Sequence, residues 1–510
     1  SSVSDPVEPP IPNPEPALLA IDAGTTGITA LVVDADAVVR ARGYREFPQH
    51  FPADGFVEHD LGQMWAATLD AVRDALDALT TADAQLEVVA VGLTNQRETV
   101  CLWDRETLGS PRRAIVWQDR RSAALCQAWR DAGHEDRVTE RTGLRLDPYF
   151  SATKLAWIRV HEPHVWAGVE SGRVAVGTVD SYLVARMTRG LHHLTDHTNA
   201  SRTLLYDLEE GGWSADLADL FGVPLDALPE IGPSYGSIAR TDPSVFLGLD
   251  LPVTGIAGDQ QAALVGQAGF AAGAAKCTYG TGSFLLAHTG DAIRRSSSGL
   301  LTTVALAHPD GARDFALEGS VFVTGAAVQW LRDGLGIIGS APEVEQLARS
   351  VPDSGGVVFV PALTGLGAPE WDPTARGLVI GITRGTTAAH LARATLEAIA
   401  FEVADVVDLL VADGRVALAS LAIDGGAAAN DLLCQLQADA AQLRVDRSAE
   451  LQTTGLGAAF LAGVGAGVWP SLDSLREVRR SSGMFGPGAA QPDQRARWRD
   501  AVARSKGWAQ

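Results

Sequence analysis

The sequence predicts an α/β protein of two large domains with a ligand-binding cleft between them. With 510 residues the chain exceeds what one hydrophobic core normally supports, so two domains are expected. A strand, a Gly-Thr turn and a second strand occur near the start of each half, around residues 22–27 and 279–282. Between them, an apolar run at 251–256 leads through a glycine turn into a predicted helix at 261–268, with Asp259 at its start.

Charge narrows the class of partner. The formal net charge is −21, which disfavours nucleic acid and anionic membrane surfaces, because both are bound through Lys and Arg. An anionic nucleotide is still compatible with a local pocket lined by backbone N–H groups. A Walker A loop is excluded, since none of the three lysines, Lys154, Lys276 and Lys506, follows a glycine.

Cysteine use and the first residues predict a protein of the reducing cytoplasm. None of the four cysteines lies at a metal-binding or redox spacing. Residues 1–16 are rich in Pro, Ser and acidic residues, which predicts a disordered tail and not a signal peptide. The longest uncharged apolar run, 453–469, is shorter than the ~20 residues that span a bilayer and favours a buried helix.

The first Gly-Thr turn is predicted within a β-meander. Residues 17–21 form a buried strand, the turn Asp-Ala-Gly-Thr-Thr-Gly follows at 22–27, and further strands are expected at 28–33 and 37–39. Glycine lets a phosphate approach the backbone, and the hydroxyls of Thr25 and Thr26 add donors. By itself, however, the turn is also compatible with an ordinary hairpin.

The second Gly-Thr turn changes that balance. Residues 276–279 and 283–288 are predicted strands, joined by Gly-Thr-Gly at 280–282. Two such turns facing each other would hold a polyphosphate from both sides. This arrangement resembles the actin, hexokinase and chaperone ATPase superfamily, which implies two ribonuclease H-like domains with a catalytic cleft between them. We place the domains at 17–266, with the first phosphate turn, and 267–510, with the nucleotide site.

Two charged positions have competing interpretations. Arg97 and Glu98 follow a predicted strand at 86–93, and adjacent residues reach one ligand only from an irregular loop. The alternative is a charged hairpin tip. Asp259 is either a functional carboxylate or only the N-cap of its helix, a role that Asp often fills.

Ten short strings carry a resemblance to the glycerol kinases, a branch of the FGGY carbohydrate kinase family. The resemblance extends in register from about residue 17 to about residue 469. The strings are Gly-Phe-Val-Glu-His-Asp at 55–60, Thr-Asn-Gln-Arg-Glu-Thr at 94–99, Ile-Val-Trp-Gln at 115–118, Asp-Pro-Tyr-Phe-Ser at 147–151, Thr-Asp-His-Thr-Asn-Ala-Ser-Arg-Thr at 195–203, Gly-Ile-Ala-Gly-Asp-Gln-Gln at 255–261, Tyr-Gly-Thr-Gly at 279–282, Gln-Trp-Leu-Arg-Asp at 329–333, Thr-Gly-Leu-Gly-Ala-Pro at 364–369 and Asp-Gly-Gly-Ala-Ala-Ala-Asn at 424–430.

The resemblance implies an enzyme that transfers the γ-phosphoryl group of ATP to glycerol, giving glycerol 3-phosphate by in-line displacement. Asp259 would be the general base, and Asp22 and Asp259 would bind Mg²⁺, mostly through water. The implied polyol-binding residues are Arg97, Glu98, Trp117, Tyr149, Asp259 and Gln260. The implied nucleotide-binding residues are Thr25, Thr26, Thr281, Gly325, Gln329, Gly426 and Asn430.

The first phosphate turn departs from the family pattern. The family usually has Asp-Gln-Gly-Thr-Thr-Ser-Ser-Arg, whereas this chain has Asp-Ala-Gly-Thr-Thr-Gly-Ile-Thr at 22–29. The departure leaves open how the ATP phosphates are held. The resemblance also implies a homodimer or homotetramer. We expect no control by histidine phosphorylation or by a basic loop, since 198–287 lacks histidine and 245–253 lacks basic residues.

Two other functions are weighed against this one. The first is a kinase of another small polyol or ketose. The second is an ATP-dependent scaffold without catalytic activity, as in actin, which predicts a nucleotide cleft without a polyol site. The presence of all the implied polyol-binding residues favours a kinase, and the strings around them resemble glycerol kinases more than pentulose kinases.

Overall fold

The computed structural model describes residues 13–80 and 83–509. The tail predicted at 1–16 therefore lies mostly outside the described residues, and its last two residues already belong to the first strand. Up to residue 266 the elements are β1 (Glu15–Ala23), β2 (Gly27–Asp34), β3 (Val39–Glu46), β4 (Gln49–His50), β5 (Glu58–His59), α1 (Leu61–Asp77), β6 (Leu86–Asn95), β7 (Cys101–Asp104), β8 (Ala114–Ile115), α2 (Ala123–Asp131), α3 (Glu135–Thr142), α4 (Ser151–His161), α5 (Pro163–Glu170), β9 (Val174–Gly177), α6 (Val179–Met187), β10 (Leu194–Asp196), α7 (His197–Ala200), β11 (Tyr206–Asp207), β12 (Gly212–Trp213), α8 (Ala215–Phe221), β13 (Glu230–Gly232), β14 (Tyr235–Arg240), β15 (Pro252–Gly258) and α9 (Asp259–Gly266).

The second half repeats this alternation of strands and helices. Its elements are β16 (Ala275–Tyr279), β17 (Ser283–Gly290), β18 (Leu301–Ala307), β19 (Arg313–Val321), α10 (Gly325–Asp333), α11 (Glu343–Arg349), β20 (Val358–Val360), β21 (Leu378–Ile380), α12 (Ala388–Gly414), β22 (Ser420–Asp424), α13 (Asp431–Ala441), β23 (Arg444–Ser448), α14 (Thr453–Gly465), α15 (Leu475–Val478), β24 (Ser481–Phe485) and α16 (Pro492–Ser505).

Each half is built on one mixed sheet of the same design. The first sheet has the order β14-β15-β6-β1-β2-β3, and the second has the order β18-β19-β17-β16-β22-β23-β24. In the first, β1 pairs antiparallel with β2 and parallel with β6. In the second, β16 pairs antiparallel with β17 and parallel with β22. The Gly-Thr turns therefore occupy equivalent places, each joining the first two strands of its sheet.

The third strand of the first meander begins later than the sequence suggests. We predicted it at 37–39, but Ala37 has a φ of 60°, in the left-handed region, and β3 starts at Val39. The Asp34 carboxylate accepts hydrogen bonds from the backbone N–H groups of Asp36 and Val38. That side-chain turn competes with strand geometry, a usual effect of Asp.

The chain returns to the first sheet near its end. Helix α14, which the sequence assigned to the C-terminal half, packs against α9, β15, β6 and β1. Its residues share a buried cluster with Leu18, Ala90 and Ala257. Gly457 allows this contact, because a Cβ there would lie 1.8 Å from the Ala262 carbonyl oxygen. The helix is buried, as its composition predicted, and no described helix is long and apolar enough to cross a membrane.

Candidate functional site

The first Gly-Thr turn is held from three directions at the end of the β1–β2 hairpin. The turn closes with a hydrogen bond from Gly24 N to the Gly27 carbonyl, 3.0 Å long. The amides of Gln96 and Gln49 donate to the Gly24 and Thr25 carbonyls, respectively. The Thr26 side chain is exposed. The turn is thus a fixed loop with hydroxyls available to a ligand.

The second Gly-Thr turn opens onto a cavity of about 340 Å³. Gly325 N donates to the Gly280 carbonyl at 3.0 Å, so α10 starts directly against the turn. A side chain at Gly325 would not fit, since its Cβ would lie 2.8 Å from that carbonyl oxygen. Five of the predicted nucleotide-binding residues line this one cavity: Thr281, Gly325, Gln329, Gly426 and Asn430.

The element that follows Gly426 differs from our expectation. We predicted that Gly426 opens a helix whose N-terminus faces a phosphate. Instead, residues 426–429 form a short 3₁₀ turn, and the α-helix α13 begins at Asp431 with Asn430 as its N-cap. The Asn430 side chain accepts from Leu433 N at 2.9 Å, so part of its hydrogen-bonding capacity serves the helix.

Arg97 and Glu98 leave the first sheet in an irregular loop, as their adjacency requires. Strand β6 ends at Asn95, and Glu98 has a φ of 65°, which a non-glycine residue seldom adopts. In this loop Arg97 Nε lies 3.2 Å from Asp259 Oδ1 and 3.7 Å from Glu98 Oε1. The hairpin-tip interpretation is wrong, since Arg97 and Glu98 are almost fully buried.

Asp259 is not the N-cap of its helix. Gly258 is the N-cap of α9, Asp259 is the first helical residue, and no side chain caps this end. The Asp259 carboxylate accepts from Gln260 N at 2.8 Å, and its side chain is 29% exposed. Burial raises the pKa of this carboxyl above its ordinary value, while Arg97 opposes that shift. Helix capping therefore does not explain the aspartate.

Asp22 and Asp259 form a pair of carboxylates between the two sheets. Burial and the nearby charge of Asp259 raise the pKa of Asp22 to about 7. A divalent cation would relieve this repulsion, and two carboxylates suit Mg²⁺, which keeps most of its water ligands. No group of three or more His, Cys, Asp or Glu residues that could hold a metal occurs within 13–80 and 83–509.

Glu318 and Arg202 connect the predicted polyol residues, and the sequence interpretation missed both. Glu318, on β19 of the second sheet, accepts two hydrogen bonds from the Arg97 guanidinium, at 2.5 and 3.1 Å. Arg202 Nε donates to Glu98 at 2.7 Å, and its Nη1 contacts Glu318 at 2.7 Å as an ion pair without hydrogen-bond alignment. Although burial opposes it, the two arginines hold the pKa of Glu318 at about 2.

Lys276 determines which atoms of Gln260 face the cleft. The Lys276 ammonium donates to Gln260 Oε1 and, at 2.9 Å, to Thr278 Oγ1. The ammonium has no acceptor atom, so the amide oxygen must face it and the amide NH₂ is left for a ligand. Burial lowers the pKa of Lys276, an effect that Asp424 opposes.

Aromatic rings form one wall of the site. Trp117 lies edge-to-face with Tyr149 and with Phe284, at ring-centre distances of 5.7 and 6.4 Å. Tyr149 Oη lies 3.5 Å from Arg97 Nη2. Phe284 comes from β17 of the second half, and its position gave no signal within the apolar strand sequence. The wall is therefore completed only when the two halves meet.

Comparison with known proteins places the chain in one family. The N-terminal domain of the FGGY family of carbohydrate kinases matches residues 17–266 of this chain, and the C-terminal domain of that family matches residues 275–466. The chain is 50% identical to a glycerol kinase of Alcanivorax borkumensis over 492 residues, covering 96% of this chain and 98% of that relative. A glycerol kinase of Aromatoleum aromaticum is 51% identical over 495 residues, covering 96% and 99%.

Solved structures agree with this placement. The crystal structure of Plasmodium falciparum glycerol kinase with ADP superimposes with a TM-score of 0.90 at 33% identity, covering 96% of this chain and 98% of that one. A xylulose kinase from Rhodospirillum rubrum superimposes with a TM-score of 0.84 at 24% identity, covering 96% and 98%. At that identity the second likeness concerns the fold alone.

Proposed function

Since this chain belongs to the FGGY family of carbohydrate kinases, we propose that it transfers the γ-phosphoryl group of ATP to glycerol. The observation that carries the proposal is the grouping of Arg97, Glu98 and Asp259 beside the aromatic wall, in a chain that is about half identical to glycerol kinases. The relatives are named for glycerol, and a small triol needs both donors and acceptors around it.

In this proposal the polar groups of the site divide the recognition of the glycerol hydroxyls between them. Glu98 and Asp259 accept hydrogen bonds from hydroxyls, and the amide NH₂ of Gln260 donates. The Trp117 and Tyr149 rings cover the carbon chain. Two of the five Arg97 N–H donors go to Glu318, and two more face Gln261 and Tyr149. Arg97 therefore contributes mainly its charge and its Nε–H, which already lies against Asp259.

Asp259 is the proposed general base. Its raised pKa makes it a stronger proton acceptor than an ordinary aspartate, and its partly exposed carboxylate faces the cleft. It would take the proton of the terminal hydroxyl as that oxygen attacks the γ-phosphorus in line with the leaving ADP oxygen. Bound Mg²⁺, held by Asp22 and Asp259 mostly through water, would neutralise phosphate charge.

The nucleotide would extend from one Gly-Thr turn to the cavity on the second half. Thr25, Thr26 and Thr281 are proposed to hold the β- and γ-phosphates from both sides. Gly325, Gln329, Gly426 and Asn430 line the cavity and are proposed to hold the rest of the nucleotide. A homodimer or homotetramer and a cytoplasmic location stay predictions.

A coupled ADP-release assay over glycerol, 1,2-propanediol, erythritol and xylulose tests the function. We expect the highest kcat/KM with glycerol. The analogue without one hydroxyl should be poorer by up to ~10⁴, because it leaves buried polar groups unpaired. Faster turnover of xylulose or erythritol would assign a different substrate. ATP binding without phosphorylation of any polyol would favour a scaffold.

A further inference from the structure

Tyr44 lies on the same face of the first sheet as Asp22. In the register of the meander, Asp22 is directly opposite Thr29, and Thr29 is directly opposite Tyr44. Side chains that are opposite one another across antiparallel strands share a face of the sheet. Asp22 is close enough to Asp259 for their charges to interact, so this face is the one turned toward the cleft.

The Tyr44 ring fills a space that Gly27 leaves open. A Cβ on Gly27 would lie 2.7 Å from Tyr44 Oη, 2.8 Å from Tyr44 Cε2 and 2.7 Å from the Arg45 carbonyl oxygen. Gly27 is not among the residues with positive φ, so its backbone does not require glycine. The glycine is explained by space instead. Where the family pattern has a serine hydroxyl, this chain has a phenol hydroxyl.

The hydroxyl of Tyr44 is available to a ligand. Tyr44 is 51% exposed, although its ring lies over Gly27. Its strand neighbours Arg42 and Arg45 are paired with Glu450 and Asp74. Among the residues that the structure describes, none forms a hydrogen bond with Tyr44 Oη.

No positive side chain of the meander is free to serve the turn. The family pattern places an arginine where this chain has Thr29, and Arg45 is held by Asp74 on α1, with Nε–Oδ2 at 2.6 Å. The donors that remain beside the turn are neutral ones: backbone N–H groups, the hydroxyls of Thr25 and Thr26, and the phenol.

We propose that Tyr44 is a further residue of the nucleotide site. Its phenol donates a hydrogen bond to the terminal phosphates of a nucleoside triphosphate held at the turn 24–27. This inference rests on the proposed role of that turn in phosphate binding. It supplies a donor in place of those that the family pattern has and this chain lacks.

The test is Tyr44→Phe, which keeps the ring over Gly27 and removes only the hydroxyl. Binding is measured by calorimetry with Mg²⁺ and a non-hydrolysable ATP analogue, and separately with AMP, which lacks the phosphates in question. We expect the Kd for the analogue to rise about tenfold, as loss of a hydrogen bond to a charged group predicts. The Kd for AMP should stay within about twofold.

A matched control is Tyr235→Phe. It removes a hydroxyl that bonds to His308 at 2.7 Å, and it should change neither Kd. An unchanged Kd for the analogue in Tyr44→Phe, or an equal loss for AMP, would overturn the inference. Because the readout is nucleotide binding, it is independent of the polyol. A parent protein inactive on glycerol, with the selective loss in Tyr44→Phe intact, would remove the proposed substrate and leave the role of Tyr44 standing.

Discussion

Trp117 Nε1 donates a hydrogen bond to Thr25 Oγ1 over a distance of 3.0 Å. The proposed wall of the polyol site and the proposed phosphate turn are therefore in direct contact. Since the Thr25 oxygen accepts from the indole, its own O–H points elsewhere and is left to donate to a phosphate. The Trp117 side chain thus orients the Thr25 hydroxyl, which is a proposed donor to the ATP phosphates.

The contact predicts that Trp117→Phe raises the KM for MgATP as well as for glycerol. Loss of the indole N–H frees the Thr25 hydroxyl to rotate, and a hydrogen bond of this kind is worth about 0.5–1.5 kcal/mol. A double-mutant cycle with Thr25→Ala measures the coupling in the KM for MgATP. Trp213→Phe, which loses an indole bond to the Pro229 carbonyl, is the control. Additive effects of the two cleft substitutions would show that the contact does not orient Thr25.

Asp259→Asn separates chemistry from structure. We expect kcat to fall by about 10² or more, with glycerol binding within about tenfold of the parent and little change in Tm. Asp60→Asn is a matched control, because Asp60 is a true N-cap whose carboxylate accepts from Gln63 N, and Asn caps helices nearly as well. If Asp259→Asn keeps more than about a tenth of the parent kcat, another group is the base.

Glu318→Gln should affect the polyol site more than the nucleotide site. The amide removes the charge between Arg97 and Arg202, and its NH₂ group faces one of them. We expect the KM for glycerol to rise at least about tenfold while the KM for MgATP stays within about threefold. Stability should also fall, because unpairing a buried ion pair costs about 3–5 kcal/mol. Equal changes in both KM values would mean that Glu318 is only structural. Glu318→Asp keeps the charge, so its KM for glycerol should lie closer to the parent value than that of Glu318→Gln.

Thr29→Arg should lower the KM for MgATP. The new side chain would lie between Asp22 and Tyr44 on the cleft face and add a charge-assisted hydrogen bond of roughly 1.5–3 kcal/mol to phosphate. Its neighbour Ile28, a serine in the family pattern, should stay unchanged, since it is fully buried in the first core. Thr29→Gln is the uncharged control. An unchanged KM in Thr29→Arg would show that the phosphates are already neutralised.

Gly457→Ala tests the packing of α14 on the helix that carries Asp259. The added methyl group would meet the Ala262 carbonyl oxygen at 1.8 Å, so the helices must separate. Overpacking of this kind typically costs about 1–3 kcal/mol, which a chemical denaturation curve would detect. Gly486→Ala, where no atom lies within 4 Å, should leave the curve unchanged. Equal stability of the two variants would contradict the close contact.

The strands and turns that lead to the site were predictable because they are encoded locally. The apolar runs before Asp22 and Asp259 predicted β1 and β15, and the two Gly-Thr turns marked the hairpins. The local rules failed at two positions. The hydrogen bonds that the Asp34 carboxylate accepts place the start of β3 at Val39 and not at residue 37. Gly258, and not Asp259, is the N-cap of α9.

The sequence by itself determined the two-domain α/β class and the positions of the two turns, since both follow from periodicity and glycine placement within short windows. Only the tertiary structure revealed Glu318, Lys276 and Tyr44. Glu318 is separated from Arg97 by 221 positions in the chain, and Lys276 lies in a short strand whose sequence does not indicate a partner in the cleft. Tyr44 reaches Gly27 only through the strand register. Ion pairing, amide orientation and shared faces depend on distances in space, and those distances are fixed when the sheets form and the two halves meet.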